Sequence, residues 1–158
     1  MESFKWQGCA EMAMAAPLER VWEIASDFCG MKKWYPALLV CERVEGTPEQ
    51  GPGCVRYICS ASSSSSSGDG ILRAKEKLIS MDCINHSYTY SVIDINIEGF
   101  QGYQSTFQVT ESEEGSCAVK WNFEVEPIPG RSESEFVSKW SSVLTTILNT
   151  LQDLASSP

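Results

Sequence analysis

Apolar and polar residues alternate along most of the chain. From residue 4 to residue 12 the even positions carry apolar or small side chains, whereas the odd positions are mainly polar. A period of two is typical of a β-strand that buries one face. Six later segments have strand character and are separated by residues that favour turns; they cover residues 38–44, 54–60, 71–81, 84–95, 102–111 and 117–127. The pattern predicts a sheet of six to seven antiparallel strands.

Two short helical segments are predicted after the first strand. Pro17 suits the first turn of a helix, and apolar residues from Val21 onward continue with helical spacing to about Asp27. A second piece, residues 30–35, is helical or irregular and stops before Pro36.

The clearest helix signal lies near the end of the chain. Ser132 and Glu135 have the spacing of a capping box, in which each side chain satisfies a free N–H group at the helix start. The apolar residues that follow form one stripe with a period near 3.6; they are Phe136, Trp140, Leu144, Ile147, Leu148, Leu151 and Leu154. The sheet is the only apolar surface large enough to cover this stripe. We therefore predict an α+β helix-grip fold, in which a curved antiparallel sheet surrounds a long C-terminal helix and encloses an internal cavity.

One domain is expected to account for all 158 residues. Within it, the segment SSSSSSGDG at residues 62–70 has low complexity and cannot pack, so it predicts a flexible loop between two strands. We favour a tolerated surface insertion over the alternative of a lid at the rim of a pocket.

Composition and charge narrow the classes of partner. The formal net charge of -9 disfavours nucleic acid and anionic membrane surfaces, which bind basic proteins. The apolar runs are far shorter than the ~20 residues that span a bilayer, and the first residues lack the pattern of a secretory signal. The seven cysteines are odd in number and include no CxxC pair, which favours reduced thiols in the core. We expect a cytoplasmic monomer whose partner is a small hydrophobic or amphipathic metabolite.

The strongest chemical anomaly lies in the strand at 71–81. Leu72, Ala74 and Leu78 share one face of this strand with Glu76, so period-two geometry directs this carboxylate to the apolar side. A buried carboxylate costs several kcal/mol unless it is paired or hydrogen-bonded. Arg56, one strand earlier, is the obvious partner, although both faces of its own strand are apolar. Such a pair is either a catalytic centre, in which Glu76 moves a proton and Arg56 holds a developing oxyanion, or a buried ion pair that sets the sheet register.

Aromatic residues form a second group of candidate site residues. Tyr103 follows a glycine-rich turn at the start of a strand, where its hydroxyl can face a ligand. Other aromatic residues share strand faces or the helix stripe and are equally suited to an ordinary core. The expected ligand-binding residues are Tyr88, Tyr90, Phe100, Phe107, Trp121, Phe123 and Trp140.

Several other chemistries are disfavoured by the motifs. The only histidine, His86, lies at a strand start and is expected to be solvated. No HExxH, paired-aspartate, GxSxG or glycine-rich phosphate motif occurs, so we predict no metal, no nucleophilic triad and no cofactor.

At these positions the sequence resembles the lachrymatory factor synthase group of plants, within the polyketide cyclase and START-like superfamily of helix-grip proteins. The resemblance covers almost the whole chain in one order and rests on Lys5-Trp6, GCVRY at 53–57, AKEKL at 74–78, SYTY at 87–90, GFQGY at 99–103 and WNF at 121–123. It implies that Arg56 and Glu76 are an essential pair that shifts a proton within a small unsaturated sulfenic acid, giving a thial S-oxide. It also implies that Tyr103 and Trp121 lie in the pocket.

Two departures concern the substrate. The polyserine segment replaces the family's sequence between two motifs, and Phe100 stands where the family enzyme has a tyrosine. We expect a cofactor-independent isomerase, cyclase or lyase of plant specialised metabolism, with Glu76, Arg56 and Tyr103 as catalytic residues. The alternative is a carrier or sensor of a small hydrophobic ligand, although the gate and latch motifs of the abscisic-acid receptors do not occur.

Overall fold

The computed structural model describes residues 4–46, 50–61 and 70–157. The strands of this part are β1 Trp6–Met14, β2 Val40–Glu45, β3 Val55–Ala61, β4 Ile71–Asp82, β5 Ser87–Ile95, β6 Gln104–Glu111 and β7 Cys117–Val125. Its helices are α1 Leu18–Ala25, a 3₁₀ segment Phe28–Lys33 and α2 Glu133–Ala155. The predicted flexible loop falls on residues 62–70, of which 62–69 lie outside the described residues.

The strands form one sheet in the order β1-β7-β6-β5-β4-β3-β2, and every neighbouring pair is antiparallel. Both short helical segments come between β1 and β2, and α2 packs against β1 and α1. The predicted helix-grip architecture is therefore confirmed. The core lies between the inner face of the sheet and the three helical segments.

The start of α2 follows its sequence signal. The Ser132 Oγ accepts a hydrogen bond from the backbone N–H of Glu135 at 3.4 Å, which satisfies one of the free donors of the first turn. The predicted stripe faces the core, where Phe136, Leu144, Ile147, Leu148 and Leu151 are buried and Trp140 and Leu154 are half-buried.

Gly8 in β1 lets α2 approach the sheet closely. Gly8 lies opposite Phe123 of β7, and a Cβ atom at Gly8 would lie 2.4 Å from the Phe123 Cζ and 2.9 Å from the Val137 Cγ1. Both distances are shorter than carbon atoms tolerate. The absence of a side chain at this position therefore makes room for an aromatic ring between strand and helix.

Two sequence predictions need correction at the edges of strands. The first strand begins at Trp6, and Phe4 is 88% exposed rather than inward-facing. The segment at 84–86 is a turn, because the Asp82 carboxylate accepts the N–H groups of Ile84 and Asn85 at 3.0 Å and ends the ladder. His86, at φ 57°, is half-buried with its ring edge-on to Trp22 at 5.5 Å, so it is less solvated than expected.

Candidate functional site

The sheet register places Arg56 and Glu76 side by side. Arg56 in β3 lies directly opposite Glu76 in β4, so the two side chains leave the sheet on the same face. Arg56 is 1% exposed and Glu76 is 8% exposed. The face of Arg56, which the sequence left open, is therefore the inner one, and the predicted pair is brought together in the core.

The guanidinium group is held from several directions. Its Nε and Nη2 donate to the same carboxylate oxygen, Glu76 Oε1, each at 2.8 Å. Its Nη1 donates to the backbone carbonyl of Phe28 at 2.8 Å. The Phe28 ring lies 3.9 Å from the guanidinium carbon and the Tyr90 ring lies 4.9 Å from it, within the range of cation–π attraction. Together these contacts fix the position of the positive charge.

The two oxygens of the Glu76 carboxylate differ in their surroundings. Oε1 receives both bonds from Arg56, whereas within the described residues Oε2 accepts no hydrogen bond. Burial alone would lower the pKa of Arg56, but the charge of Glu76 raises it and the net shift is upward. Arg56 therefore remains a cation, and Oε2 is the oxygen with free capacity to accept a proton or a hydrogen bond.

Two tyrosines of β5 lie close to the pair. Burial raises the pKa of Tyr88 to about 12, although the charge of Arg56 opposes the shift. Burial also raises the pKa of Tyr90 well above its ordinary value. Both hydroxyl groups are neutral at physiological pH and can donate or accept hydrogen bonds.

Tyr103 is fixed by the C-terminal helix. The Trp140 Nε1 donates to the Tyr103 hydroxyl oxygen at 2.9 Å. Burial raises the pKa of Tyr103, so its phenol is also neutral. The Phe100 ring packs edge-on against Trp140 at 4.9 Å and tilted against Tyr103 at 5.4 Å. Tyr103 therefore keeps a hydroxyl proton that it can donate towards the core.

The remaining predicted ligand-binding aromatics belong to the same cluster. Phe107 stacks on Tyr88 with ring centroids 5.2 Å apart, and Phe123 stacks on Tyr103 at 5.9 Å. Trp121 packs edge-on against Phe107 at 5.4 Å. The cluster forms much of the core, which is the ordinary role that the sequence also allowed, while contact of these rings with a ligand stays a prediction.

A cleft of about 970 Å³ opens at the rim of the sheet. Its walls come from the end of β5, the following turn and the segment after β7, which are residues 92–95, 97–102 and 126–129. Of the predicted ligand-binding residues, Phe100 is the one that lines this cleft. Because the Phe100 ring also contacts Trp140 and Tyr103, it separates the cleft from the aromatic cluster. The internal cavity predicted from the sequence stays a prediction.

Sequence reasoning missed Phe28, which contacts the pair, and it did not indicate that two indole N–H groups lack a partner. The carbonyl and ring of Phe28 both hold Arg56, but nothing in the local sequence pairs residues 28 positions apart. The indole N–H groups of Trp34 and Trp121 are buried and have no hydrogen-bond partner among the described residues. The same part of the chain contains no cluster of three or more side chains with metal-ligating geometry.

The fold and the buried pair define a helix-grip protein with a charged pair inside an aromatic core. The family model for polyketide cyclase, dehydrase and lipid transport proteins matches residues 10–155. The chain belongs to this family.

Solved structures support the same fold. An uncharacterized protein from Bacillus thuringiensis superimposes with a TM-score of 0.76 at 21% identity, over 96% of this chain and 99% of that one. Ara h 8.0201 gives a TM-score of 0.76 at 17% identity, over 98% of this chain and 100% of that one. The protein XoxI from Bacillus cereus gives 0.74 at 21% identity, over 94% of both chains. Among the described residues, no helix combines the length and apolar character needed to cross a membrane.

Proposed function

We propose that the protein is a cofactor-independent enzyme that moves a proton within a small apolar substrate. The observation that carries the proposal is the buried Arg56–Glu76 pair, in which one carboxylate oxygen is held by the guanidinium and the other accepts no hydrogen bond from the residues that the structure describes. A carboxylate fixed in this way has one oxygen ready to act as a general base. The guanidinium beside it can stabilise negative charge on a substrate oxygen.

The resemblance to lachrymatory factor synthase supports a substrate class. In an alkenyl sulfenic acid, removal of the O–H proton and delivery of a proton to the distal alkene carbon gives a thial S-oxide with no change in composition. Glu76 Oε2 would take and return the proton, and Arg56 would stabilise the negative charge on oxygen. Tyr103, held by Trp140, would orient the substrate through its hydroxyl. Only a proton moves, so the reaction needs no cofactor. We place this enzyme in the cytoplasm of a plant cell, as a monomer.

The test replaces Glu76 by glutamine. Glu76→Gln keeps the shape and an amide oxygen as acceptor for Arg56, but it removes both the base and the charge that compensates the guanidinium. We therefore expect a lower urea midpoint with an unchanged circular dichroism spectrum in the absence of urea, and loss of turnover. The assay follows an alkenyl sulfenic acid generated in the cuvette and identifies its product by NMR. Glu114→Gln, at an exposed carboxylate, is the matched control and should retain full activity. Full turnover in Glu76→Gln would remove this carboxylate from the mechanism.

A carrier of small hydrophobic molecules is the second candidate. It is favoured by the lipid-transport members that the family description includes and by the rim cleft, whose walls carry apolar side chains such as Ile95, Phe100 and Ile128 beside polar ones. A carrier returns its ligand unchanged, whereas an enzyme does not. Mass spectrometry of a metabolite that co-purifies with the wild-type protein, before and after incubation, separates the two functions.

A further inference from the structure

Three cysteines lie beside the Arg56 cradle, by which we mean the groups that hold its guanidinium: the Glu76 carboxylate, the Phe28 carbonyl and the rings of Phe28 and Tyr90. The Cys29 Sγ in the 3₁₀ segment lies 3.5 Å from the Cys54 Sγ, which is within van der Waals contact. The Cys41 Sγ donates to the backbone carbonyl of Cys29 at 3.3 Å. Cys54 is buried, whereas Cys29 and Cys41 are half-buried. The sequence had indicated only dispersed core thiols, because these cysteines are 12 to 25 residues apart.

We propose that Cys29 and Cys54 are an oxidative modification site that closes to a disulfide and fastens the Arg56 cradle. The site is independent of whether Glu76 moves a proton. A disulfide has an S–S length of about 2.05 Å, so the two sulfur atoms need to approach by about 1.5 Å. Rotation about the two Cα–Cβ bonds can supply part of this movement.

The backbone on both sides of the pair is held in place. The side chain of Gln50 accepts a hydrogen bond from the Cys29 N–H and donates to the Asp27 carboxylate at 2.7 Å, which ties the 3₁₀ segment to the chain before β3. The backbone carbonyl of Cys54 accepts a hydrogen bond from the Leu78 N–H at 2.8 Å. These hydrogen bonds fix the backbone on both sides of the two sulfur atoms, and none of them involves a thiol group.

The two cysteines are close in sequence to Phe28 and to Arg56, respectively. Cys29 directly follows Phe28, whose carbonyl and ring contact Arg56. Cys54 lies two residues before Arg56, so its side chain leaves the chain on the same face. A Cys29–Cys54 disulfide would therefore bind the 3₁₀ segment covalently to the strand that carries Arg56.

Formation of the Cys29–Cys54 disulfide requires an oxidant, and we propose a low-molecular-weight disulfide such as glutathione disulfide for this role. The Cys29 thiolate attacks one sulfur of glutathione disulfide, whose S–S bond breaks and releases one glutathione thiolate. The Cys54 thiolate then attacks the Cys29 sulfur of the mixed disulfide and releases the second glutathione. The two protein thiols lose two electrons and two protons, and the oxidant is reduced to two glutathione molecules. Burial and the neighbouring Cys54 thiol raise the pKa of Cys29 to about 12, so the exchange is slow at neutral pH.

The first experiment incubates the full chain with glutathione disulfide in mildly alkaline buffer, alkylates the free thiols and digests with trypsin without reductant. The three cysteines fall on separate tryptic peptides, residues 21–32 for Cys29, 34–43 for Cys41 and 44–56 for Cys54. We expect the peptides 21–32 and 44–56 to be joined. Cys83 is exposed, and its glutathionylation shows that the oxidant was active. Modified Cys83 without the joined peptides, or joining of 21–32 to 34–43, would overturn the proposal.

The second test uses cysteine variants, urea unfolding and hydrogen exchange. Cys29→Ser should abolish the joined species, whereas Cys41→Ser should retain it. In the wild type, oxidation should raise the urea midpoint, because the disulfide closes a loop of about 25 residues in the unfolded chain. It should also slow hydrogen exchange in Phe28–Lys33, and dithiothreitol should reverse both effects. An unchanged or lower midpoint in the joined protein would show that the bond distorts the fold and would refute a fastening role.

Discussion

Removal of the guanidinium from the buried pair should destabilise the fold strongly. In Arg56→Met, the methionine fills much of the same volume, but Glu76 loses both hydrogen bonds and keeps an uncompensated charge at 8% exposure. Loss of one partner of a buried ion pair costs about 3–5 kcal/mol, because the remaining charge stays desolvated. The Phe28 carbonyl loses its donor as well. We expect a loss near the upper part of this range.

Urea unfolding followed by tryptophan fluorescence measures the effect. With an m-value of about 2 kcal/mol/M, a loss of about 4–5 kcal/mol should lower the midpoint by roughly 2–2.5 M. The double variant Arg56→Met/Glu76→Leu removes both charges and should recover most of the stability, because an apolar replacement of a buried pair is often neutral. Together with the wild type and the single variant Glu76→Leu, these two proteins complete a double-mutant cycle, which isolates the coupling between the two side chains.

A surface pair of the same sheet provides the matched control. Lys120 and Glu11 lie 3.8 Å apart with 54% and 68% of their side chains exposed. Lys120→Met should cost less than about 1 kcal/mol, as solvated pairs do. If Arg56→Met costs no more than Lys120→Met, or if the double variant is no more stable than the single one, the reasoning from burial is wrong.

Two further predictions concern packing and pH. Gly8→Ala should cost about 1–3 kcal/mol, because its Cβ would overlap the Phe123 ring, whereas Gly51→Ala, where a Cβ meets open space, should change the urea midpoint little. Tyr88 has a pKa of about 12 when folded and about 10 when unfolded, so the unfolded chain binds fewer protons between these values. Its stabilising contribution is complete below about pH 10 and is lost as pH rises towards 12. Urea midpoints measured across this range should fall, and Tyr88→Phe should fall less steeply; an identical slope in the variant would contradict the assignment.

The sequence was sufficient for features that depend on periodicity. The inward direction of Glu76 follows from alternation in its strand, and the start and stripe of α2 follow from a capping signal and a 3.6 period. The face of Arg56 was open because both faces of β3 carry apolar residues. Only the register with β4, a pairing of residues 20 positions apart, places it opposite Glu76.

Features that depend on tertiary approach could not be read from local patterns. The contact of Phe28 with Arg56 and the approach of Cys29 to Cys54 both require the 3₁₀ segment to fold back onto β3. The apolar Ile84 extends the predicted strand back to residue 84. In the structure, the Asp82 carboxylate accepts the N–H groups of Ile84 and Asn85 and holds residues 84–86 in a turn. In the Phe28 and Asp82 contacts a side chain is hydrogen-bonded to backbone, and in the Cys29–Cys54 contact two side chains meet; hydrophobic periodicity records neither kind of contact.

The two carboxylate oxygens of Glu76 separate a structural role from a chemical one. Oε1 binds Arg56 and connects β3 to β4, which any buried ion pair does. Oε2 contributes nothing to that connection among the described residues, and it is not one of their buried polar atoms without a partner, so it remains accessible to a substrate. Stability and turnover should therefore respond differently to the same substitutions. A stable but inactive Arg56→Met/Glu76→Leu protein would place the chemistry in the pair itself, since its fold would no longer depend on either charge.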